Sequence, residues 1–133
     1  MFLTDTICAI HFSGPCINKV ITPAGPILLP LFNISLSCTA LPNLLYIFSQ
    51  GLPAQNLITI GAISNGSEPG APLGGLMSQR FDGLSRNLIG SFKVSFGGAP
   101  VKRFSDPTGQ NGSIPNSFGL TLSISNFFRL VMT

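Results

Sequence analysis

Glycine and proline set the limits on what this chain can fold into. Its 133 residues include 15 Gly and 11 Pro, spread along the whole length and not gathered in one tail. Each break interrupts the 3.6-residue periodicity that a helix needs, so few windows can hold one. Between the breaks lie short runs of Leu, Ile, Val and Phe that lean towards strand. The runs predicted as strands are 28–36, 44–48, 57–63, 88–96 and 120–124. The fold class expected is therefore mainly β, with short strands joined by Gly/Pro turns.

Two of these runs alternate. In 91–96, Phe92, Val94 and Phe96 are expected to face one way and Ser91, Lys93 and Ser95 the other, with a turn following at Gly97-Gly98. Leu120, Leu122 and Ile124 alternate in the same way with Thr121, Ser123 and Ser125. A period of two is the mark of a half-buried strand in an antiparallel sheet. Gly51-Leu52-Pro53, Gly70-Ala71-Pro72 and Gly98-Ala99-Pro100 also share a Gly-x-Pro turn. A true internal repeat of this kind would let one chain imitate a three-fold object.

Charge is scarce. Charged residues make up 8% of the chain against 44% hydrophobic, and none lies between Lys19 and Glu68. A free soluble domain normally carries much more charge, so much of the surface is expected to be covered by a partner. The uncharged stretch does not read as a membrane span, because Pro23, Pro26, Pro30, Pro42 and Pro53 interrupt it. No signal peptide is expected either, since Asp5 stands where a basic region should be. The net charge of +3 comes from scattered residues, with Lys102-Arg103 the only tight pair. That is not the basic stripe of a nucleic-acid binder.

Catalysis finds little support. There is one histidine, His11, and the four carboxylates Asp5, Glu68, Asp82 and Asp106 are scattered. Gly70–Gly75 lacks the Lys-Ser/Thr of a phosphate loop. No small-molecule substrate is expected. Cys8, His11, Cys16 and Cys38 do supply four soft ligands, the number a closed tetrahedral zinc or iron site requires. Such an ion would cross-link short strands that bury little core. The competing reading is that the cysteines are small buried hydrophobes and His11 is an ordinary residue.

Three segments, taken in order, resemble the PAAR-like spike-tip proteins of contractile injection systems. The first is Cys16 through Ser35, with Thr22-Pro23-Ala24-Gly25-Pro26 and then Pro30-x-x-Asn33-Ile34. The second is Gly66-Ser67-Glu68-Pro69-Gly70-Ala71-Pro72-Leu73-Gly74-Gly75-Leu76-Met77-Ser78, an acidic Pro-Gly turn followed by Gly-Gly and an apolar pair. The third runs from Phe92 through Gly97-Gly98-Ala99-Pro100-Val101-Lys102-Arg103 to Asp106, similar to the family's closing hairpin. The resemblance covers about 14–111, within a single domain spanning 1–133, and leaves 113–133 as a C-terminal extension. Some relatives carry a His or Cys after the closing Asp, where this chain has Pro107-Thr108-Gly109-Gln110-Asn111.

The resemblance implies a small single-chain cone with a pseudo-three-fold base, seated on a homotrimeric β-helical spike as one cap per trimer. It implies a non-enzymatic part of a phage tail tip or a type VI-like secretion spike, meeting a target membrane transiently. The alternatives are another virion or baseplate β domain, or a short cargo or effector adaptor carried on the spike.

Overall fold

The computed structural model describes residues 3–4, 9–49 and 51–122. It is mainly β, as the Gly/Pro punctuation implies. Two long strands, β1 (Ile10–Thr22) and β2 (Gly25–Leu36), form a hairpin closed by Pro23-Ala24. Short strands follow: β3 (Ala40–Leu41), β4 (Phe48–Ser49), β5 (Leu52–Pro53), β6 (Ile60–Gly61), β7 (Ser85–Asn87), β8 (Ser95–Phe96) and β9 (Ala99–Pro100). The last two are β10 (Pro107–Gln110) and β11 (Ser117–Thr121). Seven of them make one antiparallel sheet in the order β2-β1-β11-β10-β7-β6-β3, while β4–β5 and β8–β9 are separate small hairpins. Two of the three Gly-x-Pro turns thus open the returning strand of a hairpin. The third, at 70–72, follows a one-turn 3-10 helix at Glu68–Gly70. Among the described residues no helix is long and apolar enough to cross a membrane.

Several predicted strands are shorter than the apolar runs that suggested them. Only Phe48–Ser49 survives near 44–48, Ile60–Gly61 within 57–63, and Ser95–Phe96 within 88–96. The end of the 120–124 run lies outside the described residues. The alternation read in 91–96 builds no strand before Ser95, because the Ser91 hydroxyl accepts from the Lys93 and Val94 amides at 3.3 and 3.2 Å. Such a side-chain turn competes with the sheet ladder. Ser91 is buried and Phe92 is 93% exposed, the reverse of the orientation a core-forming Phe would take. The longest strand, β1, was not among the predicted runs. Its Gly14-Pro15 step, which reads as a break, is absorbed where the β1–β2 register shifts between Ser13 and Cys16.

The sheet carries its polar side chains inward. On β1, His11, Ser13, Cys16 and Asn18 are buried while Ile10, Phe12 and Ile17 are exposed. On β2, Asn33 and Ser35 are buried and Phe32, Ile34 and Leu36 are exposed. On β11, Ser117 and Thr121 are buried, Phe118 and Leu120 exposed. Among the described residues, 22 polar or charged side chains are buried against seven hydrophobic ones, so hydrogen bonding fills this core. Burying polar groups is tolerable only when they find partners, and among the described residues just four buried side-chain polar atoms lack one.

Candidate functional site

Two of the polar clusters in the interior are built around Cys16 and His11. The first surrounds Cys16. Because β1 and β2 pair with Cys16 opposite Leu31 and Ser13 opposite Asn33, the inward side chains of both strands meet beneath the sheet. The amides of Asn33, Asn111 and Asn116 donate to the Cys16 sulfur at 3.3, 3.4 and 2.9 Å. Each amide is itself fixed. Asn33 Oδ1 accepts from the Ser67 hydroxyl at 2.6 Å, and Asn111 Oδ1 accepts from the Gly83 amide at 3.1 Å. Asn116 Oδ1 accepts from the Met77 amide at 2.8 Å, while its Nδ2 also donates to the Ile17 carbonyl at 2.9 Å. One sulfur thereby ties together β1, β2 and the loops around 67, 77, 83 and 111–116.

The second cluster pairs His11 with Lys102. The Lys102 Nζ stands 3.3 and 3.1 Å from the two ring nitrogens of His11, and both side chains are almost fully buried. Burial, and then the neighbouring Lys102 charge, push the His11 pKa down to about 2, so the ring stays neutral and one nitrogen can accept from Lys102. Burial lowers Lys102 to about 7, partly offset by the Asp106 carboxylate. Asp106 pairs with Arg103 at 3.1 Å and accepts from the Arg103 amide at 2.7 Å. Gln110 Nε2 donates to the His11 carbonyl at 2.8 Å, locking the strand that presents the ring.

The proposed metal ligands fare differently from one another. Cys8 lies outside the described residues. His11 faces Lys102, Cys16 sits among amide donors, and Cys38 is exposed. Among the described residues, no group of three or more His, Cys, Asp or Glu side chains could hold a metal ion. A cationic amine against the imidazole and three N–H donors on the sulfur are a poor setting for a divalent cation. The asparagine nest is not legible in the sequence, since Asn33 and the pair Asn111 and Asn116 lie far from each other and from Cys16 along the chain. The one local hint is the alternation of His11, Ser13, Cys16 and Asn18 with the apolar Ile10, Phe12 and Ile17 on β1.

Outside, the same sheet presents a continuous apolar face. Phe12 lies between Ile34 of β2 and Leu120 of β11, its partners in register, and its ring stacks on Phe32 at 5.6 Å and 18°. A shallow groove of about 260 Å³ runs beside it, lined by Phe12, Gly14, Phe118, Gly119, Leu120 and Leu122.

A family model described as the toxin PAAR-like domain matches residues 12–117. No curated protein and no solved structure matches. The matched span runs from Phe12, the third residue of β1, to Ser117 at the start of β11 and includes the whole asparagine nest. It takes in most of the chain, and the protein belongs to the toxin PAAR-like family.

Proposed function

We propose that this chain is a structural, non-enzymatic cap that sharpens the tip of a trimeric β-helical spike for membrane puncture. The observation that carries this reading is the apolar outer face of Ile10, Phe12, Ile34, Leu36, Phe118 and Leu120 over a polar core. These side chains lie outside the buried core, so their apolar character is explained by a partner that covers them. A trimeric β-helix ends in open strand edges and an exposed apolar core, and a cap that covers both prevents wrong pairing. The machine is a phage tail or a type VI-like secretion system, with the cap at its tip as one copy per trimer.

Co-expression with a candidate trimeric spike followed by native mass spectrometry tests this. One cap per trimer is expected, and Phe118→Asp should abolish the complex while leaving the cap folded. A well-behaved free monomer that ignores the spike would sink the proposal. The toxin-associated character of the family supports a second reading, an adaptor carrying cargo. A cargo protein held by the cap after the spike is removed would favour it.

A further inference from the structure

The β1–β2 hairpin extends past the body of the protein. Lys19 is the last residue of β1 held from outside the hairpin, by its amide to the Gly74 carbonyl at 2.9 Å. Beyond it, Val20 pairs with Ile27, Ile21 with Pro26 and Thr22 with Gly25, and no residue from Lys19 to Leu31 is buried. Hydrogen bonds of the described residues 20–31 stay within the hairpin. The arm is apolar on both sides. Ile27 and Leu29 continue the face that carries Asn33 and Ser35, while Leu28 and Phe32 continue the opposite one. Residues 20–67 contain no charge, and Lys19 stands at the base of the arm.

We infer that this arm inserts into the apolar layer of a lipid bilayer, with Lys19 left at the headgroup level. The inference extends the puncture element of the proposed function and does not depend on the spike contact. Three features favour lipid over a protein strand added to the edge. On β2 the outward-facing amides belong to even-numbered residues, as the Ile34 amide donating outward to Asn65 at 2.8 Å sets the parity. Pro26 and Pro30 occupy two of those positions, so the open edge lacks donors that an added strand would need. The same deletions reduce the unsatisfied N–H groups that would resist entry into hydrocarbon. From Lys19 to the turn the arm reaches about 13 Å at the rise of a strand. That is close to one leaflet of a hydrocarbon core about 30 Å thick.

The chain has no tryptophan, so a single introduced one reports its own surroundings. The full-length chain is made in the presence of vesicles of phosphatidylethanolamine and phosphatidylglycerol and floated on a density gradient. Co-flotation is expected, with Leu28→Trp fluorescence shifted to the blue and quenched by brominated lipid tails. Phe92→Trp, on a different exposed loop, should remain unquenched. Ile27→Asp with Leu28→Asp should lower the floated fraction roughly tenfold or more, because charges in hydrocarbon are costly. Circular dichroism and an unchanged urea-unfolding midpoint check that this variant is folded, and the Leu28→Trp depth reading stands without it. Absence of co-flotation, an unquenched Leu28→Trp, equal quenching of Phe92→Trp, or flotation of the folded double-Asp variant at the wild-type level would each overturn the inference. None of these outcomes touches the spike stoichiometry, which native mass spectrometry measures separately.

Discussion

Lys102 is the largest side chain with almost no exposure, and its amine sits against a neutral imidazole. Its pKa falls from 10.5 to about 7 on folding, so between those values the unfolded chain binds a proton that the native one has released. Stability therefore rises with pH across that window. His11, lowered from 6.5 to about 2, acts in the same direction at acid pH, and stability falls as pH drops below its unfolded value. Urea denaturation near pH 7 and near pH 10 should show greater stability at the higher pH, and Lys102→Met should flatten the rise. A fall in stability from neutral to alkaline pH would contradict the buried-amine account. Cys16 makes a second residue-scale case. Cys16→Ala strands the Asn33 and Asn111 amides, takes one of the acceptors of Asn116, and should cost about 2–4 kcal/mol, more than the packing loss of an ordinary buried cysteine. Cys16→Ser keeps an acceptor and should cost less, with chemical denaturation as the measure. The geometry also predicts less than one zinc or iron per chain by elemental analysis. A stoichiometric ion lost in His11→Ala would require Lys102 to leave the ring, and would restore the site of Cys8, His11, Cys16 and Cys38.

Among the elements, the turn at 66–78 does the most joining. Gly74 has φ +73°, and a Cβ there would stand 2.6 Å from the Arg80 amide nitrogen. A Cβ on Gly75 would meet the Asn116 side chain at 2.5 Å and push on the amide closest to the Cys16 sulfur. Gly74→Val should abolish folding or cost more than about 3 kcal/mol, because backbone conformation and space are both closed. Lys93→Gln, on an exposed residue, should stay within about 0.5 kcal/mol. Similar melting temperatures for the two variants would reduce the segment to an ordinary loop. The resemblance-bearing motifs Thr22–Pro26, Glu68–Gly75 and Phe92–Asp106 are thus the hairpin tip, this joining turn, and the stretch that ends on the Arg103–Asp106 pair.

For the molecule as a whole, the decisive property is polarity turned inside out. Replacing Phe12, Phe118 and Leu120 together by Ser should raise soluble yield and leave the β-sheet signature in circular dichroism unchanged, since these side chains fill no core. Asn33→Leu, of similar size, should unfold the chain, because it takes the acceptor from the Ser67 hydroxyl and removes one of the amides that donate to Cys16. The opposite pattern would mean that the apolar face is the true core.

The amino-acid sequence by itself determined that the chain is β-rich, broken into short strands, poor in charge and PAAR-like, because turn residues and charge act locally and are read one position at a time. It did not reveal which face of a strand is buried. Alternation in Leu120-Thr121-Leu122 has the same period whether the leucines or the threonine point inward, and the usual preference for apolar cores favours the leucines. Only the tertiary structure decided the matter. Ser13 meets Ser117 at 2.9 Å, Ser35 meets Ser85 at 2.8 Å, and the asparagines converge on Cys16 across as many as 100 residues of chain. Hydrogen bonds between such distant residues depend on three-dimensional register, and they are what make a polar interior stable.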